Sequence, residues 1–134
     1  MATLRFSGDE LDPHEVTRLM GVAPTSAVSK GQLIVGRGPR LSRSGRWSLK
    51  ANRRQPGDLS GQIEEILSGL TQDLSVWRDL SNRFDGCVFV GFFMAEGNEG
   101  CDLSSKTLKL LTDRGLALLL DIYSGQDEVD TLVD

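Results

Sequence analysis

Apolar residues at every second position indicate the first element of the chain. Over residues 3–7 apolar and polar side chains alternate, which predicts a strand with one buried face. A short helix follows, because Asp12 is a suitable N-cap, Pro13 suits the first helical position and Gly21 is a typical left-handed terminator. We therefore expect one strand and one helix before residue 22.

Helical spacing dominates the middle of the chain. Apolar residues recur every three or four positions over residues 59–80, which predicts an amphipathic helical region. Asp58 is its predicted N-cap, and Gly69 divides it into two helices. The nearly continuous apolar run at residues 87–94 is instead rich in strand-forming residues. It predicts a central strand that is covered on both faces.

The last third of the chain predicts one more helix and one more strand. Ser104 is the N-cap of a helix that ends at Gly115, and residues 116–123 form an apolar strand. The order of elements favours an α+β fold, a two-layer sandwich with helices on one face of a mostly antiparallel sheet. We expect a single domain over residues 1–123 and an acidic, frayed tail at residues 124–134.

Charge is distributed unevenly along the chain, whose formal net charge is −4. Residues 16–57 contain nine of the fifteen basic residues and no acidic one, so the remainder carries a formal charge of −13. Such asymmetry predicts a positively charged surface on an acidic body, which bears on the partners of a protein rather than on its fold. We place this surface on a Gly/Arg-rich hairpin at residues 30–54.

The hairpin contains the candidate binding residues. Glycines and a proline between residues 36 and 46 predict a long connection without regular structure, in which arginine at every third position spreads the guanidinium groups around the chain. An acidic protein is the favoured partner, because only one aromatic residue accompanies the arginines and the low isoelectric point disfavours nucleic acid. The predicted binding residues are Lys30, Arg37, Arg40, Arg43, Arg46 and Trp47.

Two alternatives for the charged hairpin remain open. It could fold back on the acidic remainder of its own chain or simply stay solvated, since charged segments usually are. In a homodimer, the hairpin of one subunit could contact the acidic remainder of the other, and a second copy or the hairpin could also cover the apolar strands at residues 87–94 and 116–123. Trp47 has its own structural interpretation, as a residue that fills the core.

Catalytic and metal-binding chemistry is sparse in the sequence. The only histidine, His14, lies in the first turn of a helix, and no nucleophile motif accompanies it. Cys87 and Cys101 lack the spacing of a zinc site or a disulfide framework, and no apolar segment is long enough to span a membrane. We predict no catalytic residue, metal or cofactor, and a cytoplasmic location. The alternative is an enzyme or regulatory domain for a small anionic ligand, with Asp9 or Asp12 as the base.

Several short motifs together resemble a bacterial family, the domain-of-unknown-function family 4279. They are residues 11–21, Pro24-Thr25, Lys30-Gly31, Trp47-Ser48-Leu49 and residues 120–123. The resemblance implies a small α+β domain without an established activity, catalytic residue or cofactor. By analogy with other small bacterial domains, it also suggests an immunity protein that neutralises a toxin. We therefore predict a non-enzymatic binding or protein-interaction domain.

Overall fold

The computed structural model of the protein describes residues 1–35, 38–52, 58–94 and 100–124. The predicted acidic tail, apart from Ser124, lies outside these residues. In chain order the elements are β1 (Ala2–Gly8), α1 (Pro13–Met20), β2 (Ser26–Val28), β3 (Leu33–Ile34), β4 (Arg40–Leu41), β5 (Gly45–Lys50), α2 (Leu59–Ser68), α3 (Leu74–Arg83), β6 (Asp85–Met94), α4 (Ser105–Asp113) and β7 (Ala117–Ser124).

Five of these strands form the main sheet, in the order β2-β5-β1-β6-β7. All neighbouring strands are antiparallel except β6 and β7, which are parallel because α4 connects them across the sheet. β3 and β4 form a separate two-stranded sheet. The predicted α+β fold with a mostly antiparallel sheet is confirmed.

The core lies between one face of the main sheet and the helices. Leu4 and Phe6 of β1, Trp47 of β5, and Val88 and Val90 of β6 are fully buried on this face. Apolar residues of all four helices in the described part of the chain pack against them. None of these helices is long and apolar enough to cross a membrane.

Local sequence determines where the helices begin. The side chains of Asp12, Asp58 and Ser104 accept hydrogen bonds from backbone N–H groups at the starts of α1, α2 and α4, as predicted. Gly21 ends α1 with a φ of 83°, a left-handed conformation that favours glycine. Gly69 follows the last residue of α2, so the predicted division into two helices is also confirmed.

The sheet is less completely covered than the sequence predicts. β6 was expected to be buried on both faces, but Phe93 is half exposed and Phe89 is only partly buried on the face away from the helices. Leu120 and Ile122 of β7 share the helix-facing side of the sheet with Val90 and Phe92, yet both remain about half exposed. We call the face of the main sheet away from the helices, which carries Phe89 and Phe93, the open face. No helix of the described residues packs on it, so it is available as a surface.

One buried cation belongs to the core rather than to a surface. Arg114 follows α4 and is 4% exposed, with its guanidinium carbon 5.4 Å from the centre of the Trp77 ring. Its nitrogens donate to the backbone oxygen of Leu110 and to Gln72 Oε1, both at 3.2 Å. Burial lowers the pKa of Arg114, although nearby Asp113 opposes this effect. We regard this arginine as structural.

Candidate functional site

The predicted hairpin forms a short arm that leaves the main sheet after β2 and returns at β5. We call residues 30–35 and 38–46 the basic arm. Residues Gly31 and Ser42 extend the β3–β4 pairing, because Gly31 N donates to Ser42 O at 2.8 Å and Ser42 N donates to Gln32 O at 2.9 Å. The connection between residues 36 and 46 was predicted to lack regular structure, yet it contains β4 and the first residues of β5, which begins at Gly45. Arg37, Arg53 and Arg54 lie outside the described residues.

Three arginines of the basic arm surround one depression. Arg40, Arg43 and Arg46 line a cavity of about 410 Å³, together with Ile34 and Leu41 among others. The sequence predicted that these arginines spread around an extended chain, whereas all three line the same depression. The turn between β4 and β5 changes the direction of the chain, so a three-residue spacing brings the side chains to a common cavity.

The cations of the basic arm have no anionic partner among the described residues. Within the described part of the chain, Lys30, Arg40, Arg43 and Arg46 form no ion pair or hydrogen bond through their side chains. Lys30 and the three arginines are all exposed. Their positive charge is therefore available to an anionic partner.

Apolar side chains are exposed beside these cations. Leu33 and Leu41 lie opposite each other in the β3–β4 pair and are 56% and 64% exposed, while Val35 is 84% exposed. Three exposed aliphatic residues do not help a loop to stay solvated. Protein interfaces, in contrast, combine such residues with arginine. The basic arm thus presents a mixed apolar and cationic surface.

Trp47 is placed in the core and not on this surface. Its side chain is fully buried, its ring centroid lies 6.4 Å from that of Phe6, and its Nε1 donates a hydrogen bond to Thr17 Oγ1 at 3.0 Å. Of the two interpretations from the sequence, the structure matches the core residue. We therefore leave Trp47 out of the candidate binding surface.

A second depression lies on the open face of the main sheet, next to the basic arm. It has a volume of about 540 Å³, and its lining includes Arg5, Arg46, Asp85 and Cys87. Arg46 lines both depressions, so it joins the arm to the sheet. The sequence analysis missed Arg5, which alternation identified only as a solvent-facing residue of β1.

The cysteine on this open face is not activated as a nucleophile. Cys87 is partly buried, and this burial raises the pKa of its thiol, a shift that Arg5 opposes and Asp85 reinforces. The thiol is therefore the resting form at neutral pH. Cys101 is exposed in the segment before α4.

The acidic group near the first helix has structural roles. Asp12 Oδ1 accepts a hydrogen bond from the N–H of His14 at 3.0 Å, and Glu15 forms an ion pair with Arg83 at 2.8 Å. Asp9 and Asp12, the candidate bases of an enzyme, form no ion pair with an arginine of the basic arm within the described residues. No group of three or more potential metal ligands occurs among the same residues.

A comparison with protein-family models identifies the family. Residues 1–125 match the model described as a domain of unknown function, DUF4279. The chain belongs to the DUF4279 family. The match covers most of the 134 residues and confirms the resemblance found in the order of the short motifs. No curated protein and no solved structure matches this DUF4279 chain, so the argument about function depends on its surface.

Proposed function

We propose that this DUF4279 protein is a non-enzymatic interaction domain that binds an acidic surface of another protein through the basic arm. One observation carries the proposal: Arg40, Arg43 and Arg46 surround a single depression and have no carboxylate partner among the described residues. Unpaired like charges repel one another, and an acidic partner relieves this repulsion. Guanidinium groups also bind carboxylates in a bidentate geometry that adds specificity.

The acidic body of the protein supports an external partner. Several of its carboxylates already pair with cations of the helices, as in Glu15 with Arg83, Glu64 with Lys106 and Asp113 with Lys109. None of the ion pairs among the described residues involves a cation of the basic arm. The negative remainder also repels nucleic acid, whereas an acidic protein needs to approach only the arm.

The exposed aliphatic residues favour a protein over a nucleic acid. Leu33, Val35 and Leu41 offer apolar area that a protein partner can bury, and arginine next to such area is typical of interface residues that contribute strongly to affinity. Single-stranded nucleic acid binds by stacking its bases on exposed aromatic rings. The only aromatic residue in or beside the arm is Trp47, which is fully buried.

An immunity protein is one specific form of this proposal. Such a protein covers a functional surface of a toxin, and a basic arm suits a toxin with an acidic surface. The enzyme alternative is less well supported, because Asp12 already caps α1 and Asp9 forms no ion pair with an arginine among the described residues. A location in the cytoplasm remains part of the proposal.

Charge reversal on the basic arm tests the proposed function. We expect the double variant Arg40→Glu/Arg43→Glu to capture about tenfold less partner than the wild type does from nuclease-treated lysate of the native cells. Two repulsive charges then replace two attractive ones. Quantitative mass spectrometry of tagged wild-type and variant protein measures this loss. The free energy of unfolding should change by less than about 1 kcal/mol, since both side chains are exposed and have no ion-pair partner among the described residues.

A matched control separates the arm from general charge effects. Arg18 in α1 and Arg78 in α3 are also exposed arginines without an ion pair in the described part of the chain. Their double replacement by glutamate changes the net charge by the same amount and should leave capture unchanged. Equal capture by wild type and the arm variant would contradict the proposal. Capture of only a second copy of the chain would support self-association instead of an external partner.

A further inference from the structure

The depression on the open face of the main sheet has the dimensions of a small-molecule site. Its volume of about 540 Å³ falls within the range of about 300–1,000 Å³ that is usual for ligand pockets. Strand pairing places Ser48, Arg5, Cys87 and Ala117 side by side across four strands in one row. The floor of the depression therefore belongs to the most regular part of the fold.

Two arginines from neighbouring strands line this floor. In the antiparallel pair of β1 and β5, Arg5 lies opposite Ser48 and Arg46 lies opposite Ser7. The two arginines are thus diagonal neighbours on one face, at a spacing of about 7–8 Å. Within the described residues neither has an ion-pair partner, so Arg5 can bind a ligand next to Cys87, and Arg46 adds a second positive charge to the lining.

Arg5 is held in place by a neighbouring ring. Its guanidinium carbon lies 4.2 Å from the centre of the Phe89 ring on the adjacent strand β6, a cation–π contact. This contact limits the conformations of a long side chain without neutralising its charge. A ligand that binds Arg5 therefore loses less affinity to side-chain ordering than it would with a free arginine.

The charge of the lining selects among anions. Among the described residues, the charged side chains that line the depression are Arg5, Arg46 and Asp85, which together carry a formal charge of +1. This charge matches a carboxylate better than a doubly charged phosphate, which Asp85 would repel. Ala117 and Leu119 of β7 provide apolar lining beyond Cys87. The depression thus combines an anion-binding end with an apolar end.

We propose that the depression binds a small organic monocarboxylate. The carboxylate pairs with the guanidinium group of Arg5, the positive charge of Arg46 adds a longer-range attraction, and the aliphatic part extends past Cys87 toward Leu119. Planar guanidinium groups complement a carboxylate with paired hydrogen bonds, and apolar contacts add affinity. The site shares Arg46 with the basic arm, but Arg5, Cys87 and Leu119 lie outside the arm, so this proposal does not rest on the proposed protein partner.

Alkylation of the two cysteines by iodoacetamide tests the site, with hexanoate as the probe. A bound carboxylate shields the Cys87 thiol and disfavours its thiolate, while Cys101 is exposed and serves as an internal control. At a hexanoate concentration ten times Kd, we expect Cys87 to react about tenfold more slowly, because about nine-tenths of the sites are filled. Peptide mass spectrometry measures both rates, and the rate at Cys101 should not change.

Two matched comparisons give the test its specificity. Hexylamine, with the same aliphatic chain and the opposite charge, should not protect Cys87, and inorganic phosphate should protect it less than hexanoate does. Arg5→Gln should abolish protection, whereas Arg18→Gln should preserve it. Saturable amide shifts in β1 and β6, measured by NMR, provide a second readout that does not depend on thiol reactivity. Absence of both protection and saturable shifts, or equal protection of Arg5→Gln, would overturn the proposal.

Discussion

Replacement of Trp47 by alanine is expected to lower the free energy of unfolding by about 3–5 kcal/mol, the usual range for removing a buried aromatic side chain. Trp47 is fully buried between β5 and α1, next to Phe6. The change removes a large apolar surface, leaves a cavity and deprives Thr17 Oγ1 of its hydrogen bond from Trp47 Nε1. Urea denaturation followed by circular dichroism measures the effect.

Two milder variants separate the contributions of packing and hydrogen bonding. Trp47→Phe keeps an aromatic ring in the core and should lose less stability than alanine does. Thr17→Val leaves Nε1 of the tryptophan unpaired and should cost about 1–3 kcal/mol, the penalty for an unsatisfied buried polar group. If the free energy of unfolding of Trp47→Ala is within about 1 kcal/mol of the wild-type value, the placement of this residue in the core is wrong.

Replacement of Gly45 by alanine is expected to destabilise the fold by about 3 kcal/mol, near the upper end of the range for overpacking. A Cβ atom at this position would lie 2.0 Å from the backbone oxygen of Leu11. Backbone cannot move aside as a flexible side chain can, so the segment that leads into the Asp12 cap has to shift. For a chain of this length, the thermal midpoint should fall by about 10 °C.

Gly91 offers a control for the loss of glycine itself. It lies in β6, and a Cβ atom added there meets no other atom within 4 Å. Gly91→Ala should therefore be neutral or slightly stabilising, because alanine restricts the unfolded chain more than glycine does. A thermal midpoint of Gly45→Ala equal to that of Gly91→Ala would contradict the close approach of Leu11 to β5.

The sequence predicted the parts of the fold that depend on neighbouring residues. Asp12 and Gly21 define the ends of α1 through hydrogen bonding and backbone conformation, and both effects act within a few residues. The covering of β6 depends instead on whether other elements reach it. Residues 87–94 are apolar, yet the helices occupy only one face of the sheet, so Phe93 remains half exposed.

The candidate sites depend even more than the fold does on contacts between residues that are distant in the sequence. Charge asymmetry along the chain drew attention to Arg40, Arg43 and Arg46, but their place around one depression depends on the path of the arm between β3 and β5. Arg5 and Arg46 are 41 positions apart in the sequence and become neighbours only through strand register. Nothing in the local pattern around Arg5 distinguishes it from an ordinary solvent-facing residue.

Site-specific photo-crosslinking tests whether the basic arm is the surface that binds a protein partner. A photoreactive phenylalanine analogue replaces Leu41, which is 64% exposed on the arm, or Asn82, an exposed residue of α3. After irradiation in nuclease-treated lysate, we predict a covalent adduct with an acidic protein from position 41 and none from position 82. An adduct from position 82 alone, or no adduct from position 41, would contradict the claim.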